Sequence, residues 1–437
     1  MGQPIMESST LLNANIGFLR THLAMLHIPA SIWPVFLQPI LGLLLHNDLR
    51  DEDGATIPPH RPWCHWKPFT NVSITPSECS VVCPRDDAEA LFRPLIANLS
   101  ASLQKQVSIS KEDYSVITIG GEGLEAGQRV LDLTSPLALA GIPIFFITSY
   151  YSDYVLVPYS SRSNVIHALE ERGFVFEADS EDGEVGHMTN PASPLLNCHA
   201  RQGSSGSSSS SSSSTTTTTT TTEGFGFSCM IPAAAAIRAP PTPPPTTISD
   251  LQTRTFRALA RNNITPSVDP TIELITCAGL KDSTPHFSET NFTEGKLQLG
   301  IAKCLTAAYP PPKFFSVTLT DNESASLTLE KRLLQHFPEE GEDILLGTQS
   351  PEQVPITLDL KDLPRESTGI VCGVSSRLTE GMRGRMSPTE MFNMSYLSTS
   401  RAGHVIVYED ELGDVMEALR GAQLIIDAGE SKKDGAQ

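Results

Sequence analysis

Apolar residues fall into strand-length runs separated by polar turns, and one order of runs is written twice. In "IPIFFITSYYSDYVLVPYSSRSNVIHALEERG" an apolar strand, a small polar turn, a second apolar strand and a helix opening at Ser follow one another. "MFNMSYLSTSRAGHVIVYEDELGDVMEALRG" repeats that order, its helix opening among acidic residues. The register is constant: Val165 and Val415, Ala168 and Ala418, and Leu169 and Leu419 each lie 250 residues apart. Apolar positions at i, i+1 and i+4 with Gly173 as a stop define the first helix.

The flanks complete each unit. "YSVITIGG" alternates as a strand, "EAGQRVLDLTSPLALAG" reads as a helix that Pro136 should kink or shorten, and "FVFEAD" closes the unit. That order is β-α-β-β-α-β, a ferredoxin-like unit. In the second half "VPITLDLK", "TGIVCGVSSRLTEGM", the "MFNMSYLSTS"/"HVIVYE" pair and "ELGDVMEALRGAQ" follow the same order. Each half also begins with a vaguer α/β stretch, in the first half strand-like "ECSVVCP" followed by helical "DDAEALFRPLIANLSASL".

The reading is an α/β (α+β) protein of four such units in two lobes: residues 1–110, 111–176, 251–352 and 353–427, with a tail at 428–437. The lobes are joined by 177–250, which carries an eight-Ser run, an eight-Thr run and a proline tract. Such a composition buries too little apolar area to offset the entropy of ordering, which predicts a disordered linker. The duplication predicts two-fold pseudosymmetry.

Charge narrows the partners. Fifty acidic against 31 basic residues leave a net −19, which repels nucleic acid and anionic membranes. The apolar stretch "IWPVFLQPILGLLLH" holds two prolines and is too short to span a bilayer, so it reads as core. Six Asn-x-Ser/Thr sequons have no signal peptide before them, and a cytoplasmic location is expected.

Eight scattered cysteines are not a disulfide scaffold. Cys79, Val81 and Cys83 alternate onto one strand face and should pack as core. Cys64 and His65 are adjacent and point apart, so no metal site is predicted.

Catalytic chemistry is not legible. "GGEGLEAG" places Gly121, Gly123 and Gly127 between a strand and a helix, near a dinucleotide fingerprint. The next two strands form a hairpin where a dinucleotide fold needs a second crossover, and no carboxylate ends "IPIFFITS" to hold a ribose. The P-loop, nucleophile-elbow, zinc-protease and kinase signatures are missing from the sequence, and His167 reads as a solvated or capping residue. The chain is read as non-enzymatic, with no cofactor.

Paired units with "SPLALAGIPIFFITSYYSDYVLVPYSSRSNVIHAL" in one half and "STGIVCGVSSRL", "MSYLSTS" and "HVIVYEDELGDVMEAL" in the other resemble ACT domains, specifically the CASTOR family of cytosolic arginine sensors. The resemblance implies four ACT units in two tandem pairs. It implies an amino acid bound between the second and fourth units, and a protein partner, the GATOR complex upstream of the TOR growth pathway; a homodimer is compatible with it.

Carried over by position, the ligand site would comprise Pro143, Ile144, Glu366, Ser367, Gly369, Ile370, Thr399 and Ser400, and the partner surface Tyr150 and Asp153. Helix-start amides beside Gly369, with the Ser367 or Thr368 hydroxyl, suit an α-carboxylate. A guanidinium would want a carboxylate for a bidentate pair. The chain departs from the family here. Ser367 stands where the family has an acidic residue, with Glu366 one position away and able to compensate if the loop shifts. Gly403 stands in place of Asp, Ser400 of an aromatic and Pro143 of Ser.

A smaller or neutral amino acid is therefore as compatible as arginine. Two other classes fit the same residues: a ligandless ACT adaptor, and a regulatory subunit of an amino-acid biosynthetic enzyme.

Overall fold

The computed structural model describes residues 15–19, 21–45, 49–50, 56–57, 69–120, 126–172, 175–176, 187–189, 245–280, 290–321, 323–338, 344–383, 385 and 392–421. Gly121, Gly123, Cys64, His65, the Ser and Thr runs and the tail at 428–437 lie outside them.

Four sheets share one topology. The first unit runs β1 (Leu23–Pro29), α1 (Leu37–Leu45), β2 (Thr70–Ile74), β3 (Glu78–Pro84), a helical run over 85–98 and a short strand Ser108–Ile109. The second runs β4 (Tyr114–Gly120), α2 (Ala126–Leu139), β5 (Phe145–Thr148), β6 (Asp153–Pro158) and α3 (Arg162–Glu170). Helix α4 (Ile248–Arg261) opens the second half. The third unit is β7 (Leu274–Gly279), α5 (Thr290–Thr306), β8 (Phe315–Leu319), β9 (Ser326–Glu330) and the short strand Leu345–Leu346. The fourth is β10 (Gln353–Asp359), α6 (Ile370–Met382), β11 (Ser395–Ser398), β12 (Ala402–Tyr408) and α7 over 412–421.

In each sheet the third strand lies between the first and second, and all neighbours are antiparallel. This is the order a β-α-β-β-α-β unit imposes, because each crossover helix returns its strand parallel to the one before it. The fourth position is filled locally in the first and third units. In the second it is taken by Asn15–Phe18 from the chain start, and in the fourth by Ser267–Val268.

The sheets close into a ring. β2 pairs with β8 around Val72 and Val317, and β5 meets β11 at Ile147 and Leu397. β1 touches β4 at Leu23 and Tyr114, and β7 touches β10 at Leu274 and Gln353. Two of these joints tie one half of the chain to the other.

The ring explains why the strands read as near-continuous apolar runs. One face lies under helices and the other faces the ring interior, so both positions of the alternation are buried. On β4, Ile117 and Ile119 pack under the helices while Tyr114 and Val116 point inward. Cys79, Val81 and Cys83 share the helix-covered face of β3, as the alternation predicts.

α2 continues through Pro136 to Leu139, so the proline does not shorten it; Thr134 Oγ1, two residues before the proline, donates to the Val130 carbonyl at 2.7 Å. Two details differ from the sequence reading. Within 177–250, residues 187–189 form a strand beside Asn15–Phe18, and 245–247 lead into α4, whose first residues are 248–250. α4, which precedes the third unit, packs on the fourth: Thr255 Oγ1 donates to the Gly369 carbonyl at 3.1 Å. No helix among the described residues is long and apolar enough to cross a membrane.

Candidate functional site

Strands β5 and β11 meet at one residue pair, and hydroxyls finish the joint. The Phe146 amide donates to Ser398 Oγ at 2.9 Å, and the Tyr396 amide to Thr148 Oγ1 at 3.0 Å. Donors and acceptors are each 250 residues apart, so the joint obeys the duplication.

Beside it lies a cavity of about 230 Å³. Its walls are the residues leading into β5, strand β11, the turn 399–402, the loop 360–367 and the first residues of α6. α6 starts at Gly369, which holds φ +79°. Glycine suits that left-handed conformation, and a Cβ there would lie 2.8 Å from Leu251 of α4. Among the described residues no side chain caps the helix start, and no acidic residue occupies its first turn. The positive end of the helix therefore faces the cavity with its first amides available.

The turn 399–402 is gripped by the first unit. Thr399 Oγ1 and the Arg401 amide each donate to Glu78 Oε1 at 2.6 Å, and the Ser400 amide donates to Ser80 Oγ at 3.2 Å. His27 pairs with the other Glu78 oxygen. Glu78 is 1% exposed. Burial alone would raise its pKa; the bonds from His27, Thr399 and the Arg401 amide outweigh burial and hold the carboxyl below its usual range. The duplicated turn 149–152 is gripped likewise by the third unit. The Tyr150 amide donates to Ser326 Oγ at 2.8 Å, and Glu323 accepts from Ser152 and, at 2.8 Å, from Tyr154.

Six of the eight expected ligand residues line this cavity: Ile144, Ser367, Gly369, Ile370, Thr399 and Ser400. Pro143 and Glu366 do not. The Ser367 amide closes a turn onto the Pro364 carbonyl at 3.0 Å, and Glu366 at its corner is exposed. Glu366 thus does not supply the carboxylate that a guanidinium would need.

Sequence reasoning missed Phe145, Lys361 and Tyr396, all of which line the cavity. A Cβ at Gly403 would lie 2.5 Å from Tyr396 Oη, so the Tyr396 hydroxyl fills the place of a longer side chain at 403.

Of the two expected partner residues, Asp153 is fully buried and presents no surface. Tyr150 is 38% exposed and packs edge-on to Tyr151, itself 40% exposed. Among the described residues no group of three or more His, Cys, Asp or Glu side chains is placed to hold a metal ion.

Residues 109–171 match the family model of the ACT domain. Among similar solved structures, aspartate kinase from Synechocystis aligns at 10% identity and TM-score 0.29 over 94% of this chain and 56% of that one. The chain thus spans little more than half of that enzyme's length. The ligand-free regulatory subunit of aspartate kinase from Thermus thermophilus aligns at 13% identity and TM-score 0.25, over 37% of this chain and 97% of that one. A putative C-terminal regulatory domain of aspartate kinase from Porphyromonas gingivalis W83 aligns at 14% identity and TM-score 0.23, over 37% and 96%. The second unit contains most of the segment that the ACT-domain model matches, and the other three units share its strand order.

Proposed function

We propose that this protein is a non-enzymatic regulator that binds an amino acid in the cavity between its second and fourth units. The observation that carries the reading is the cavity itself. An uncapped helix start, hydroxyls of a turn and the edges of strands from both halves converge on a volume of about 230 Å³. That is below the ~300–1,000 Å³ of drug-sized pockets and suits a ligand of amino-acid size.

Occupancy would act through the turn 399–402. A ligand touching Thr399 and Ser400 contacts a segment that Glu78 and Ser80 fasten to the first unit. Its differential affinity would favour the closed ring over arrangements in which the β5–β11 joint opens.

The finer reading follows the CASTOR resemblance: a cytoplasmic sensor that passes its state to a protein complex of the TOR nutrient pathway. The exposed surface at Tyr150 and Tyr151 is where that complex would bind. Co-purification that Tyr150→Ala abolishes, and that ligand modulates, tests this step.

The binding reading is tested by thermal unfolding against each proteinogenic amino acid at millimolar concentration. A ligand at 100 times its Kd adds about 2.7 kcal/mol, a shift of several degrees. A selective shift names the ligand. Cooperative melting with no shift from any amino acid sinks the reading and leaves a ligandless adaptor.

A further inference from the structure

The cavity's charge is opposite to that of the chain around it. The molecule carries a net −19, yet Lys361, Arg365 and Arg401 all line the cavity, and no Asp or Glu is among the described residues that do. Lys361 is already paired with Asp359 at 2.8 Å, and the Arg365 guanidinium donates, among the described residues, to the neutral Ser108 hydroxyl at 3.1 Å. The guanidinium groups thus supply the cationic lining, while the Glu78 carboxylate behind the turn is taken up by His27, Thr399 and the Arg401 amide. The α6 start adds the positive end of a helix dipole in the same direction. A separate observation marks the site as built for a ligand: Ser400, 6% exposed and lining the cavity, has a buried hydroxyl without a partner among the described residues. A buried hydroxyl left unpaired is costly, and a ligand oxygen would satisfy it.

We infer that the cavity selects an amino acid with an acidic side chain, of aspartate or glutamate type, and rejects a basic one. This rests on the amino-acid-binding reading above. The α-carboxylate lies against the first amides of α6 beside Ser367. The side-chain carboxylate meets the guanidinium of Arg401 or Arg365, which present a planar fork matched to it. A guanidinium or ammonium ligand would enter a cationic cavity with nothing to pair with, and like charges in a partly desolvated site repel.

The experiment is isothermal titration calorimetry of the full chain with glutamate, aspartate, glutamine, asparagine, arginine and lysine at low salt. The expected result is that one acidic amino acid binds at least tenfold more tightly than its amide, with no heat from arginine or lysine. Arg365→Gln with Arg401→Gln should reduce that acid-to-amide ratio to within twofold, while Arg401→Lys alone retains part of it. Should the double variant fail to fold, the salt dependence of the wild type replaces it. Raising salt must then weaken the acidic ligand more than the amide. An amide or a basic amino acid binding as tightly as the acidic one overturns the inference and leaves the amino-acid-binding reading standing. No heat from any of the six, and no thermal shift with the remaining amino acids, overturns both.

Discussion

Thr399 of the fourth unit donates its hydroxyl to Glu78 of the first at 2.6 Å, across 321 positions of sequence. The same carboxylate takes the Arg401 amide and pairs with His27, so one buried group fixes the turn that lines the cavity. The duplication supplies the counterpart: Glu323 of the third unit fastens the turn of the second. Diagonal units are thus coupled through two carboxylates, Glu78 buried and Glu323 half-buried, and the ring is tied at points where no strand ladder runs.

Glu78→Gln should destabilise the protein by roughly 1.5–3 kcal/mol, the usual worth of hydrogen bonds to a charged group. Ligand affinity should fall with it, because the turn loses its fixed geometry. The pH dependence has a definite sign. The folded-state carboxyl titrates below its unfolded value of about 4.3, so its contribution is complete above that pH and is lost as pH falls through the folded value. Urea unfolding of wild type should show that acid limb and the variant should lack it. An unchanged limb would mean that other carboxylates carry it.

His404 titrates in a separate window. It is fully buried on β12, its Nδ1 lies 3.0 Å from Thr357 Oγ1, and its ring meets Phe314 edge-on. Burial pushes its pKa down to about 4, with the Glu78 charge acting the other way. Below about pH 6.5 the unfolded chain takes up a proton that the folded one refuses, so stability is complete above that value and declines as pH falls towards 4. The loss by pH 5 is about 2 kcal/mol. His404→Asn should flatten the denaturation midpoint between pH 6.5 and 4; an unaltered slope would remove His404 from the explanation.

What could be read from the residues was whatever local periodicity encodes. The β5–β6 and β11–β12 hairpins, the helices after them and the core face of Cys79, Val81 and Cys83 all follow from alternation and spacing. The strands completing the second and fourth sheets could not be read, because Asn15–Phe18 and Ser267–Val268 pair at a distance and are too short to carry a pattern. α4 was hidden for a similar reason: its apolar stripe shows that it packs, but not that it covers the unit after next. Of the residues transferred by position, Gly369, Thr399 and Ser400 line the cavity; Glu366 lies outside the lining, on a turn closed by the Ser367 amide onto the Pro364 carbonyl. The basic lining had no motif at all; Lys361, Arg365 and Arg401 become one wall only when the fold brings loop and turn together.

The β5–β11 joint predicts a symmetric pair of effects. Ser398→Ala leaves the Phe146 amide without its acceptor, and Thr148→Ala does the same to Tyr396. Each should cost about 1–3 kcal/mol, the range for a buried donor left unsatisfied. Hydrogen exchange reads this directly: the Phe146 amide should lose protection in the first variant and the Tyr396 amide in the second. Exchange that rises uniformly, with no preference for the orphaned amide, would argue that the joint is held by side-chain packing alone.

Gly403 and Tyr396 make a pair whose coupling can be isolated. A Cβ at 403 would stand 2.5 Å from Tyr396 Oη, whereas the ring carbons are 3.3 Å and 3.5 Å away. Only the hydroxyl is therefore in severe conflict. Gly403→Ala alone should destabilise by about 1–3 kcal/mol, as overpacking of a filled interior does. Tyr396→Phe removes the offending oxygen, so the double variant should recover most of that loss. A coupling energy of 0.5 kcal/mol or more, opposite in sign to the single effects, is the expected result of the cycle. Additive effects would show that position 403 resists substitution for its backbone and not for the tyrosine. Ligand titration of the same four proteins extends the test into the cavity, because Tyr396 lines it. Restored stability with restored affinity would place the Tyr396 hydroxyl in the role of a spacer. Restored stability with lost affinity would make it a group that the ligand touches.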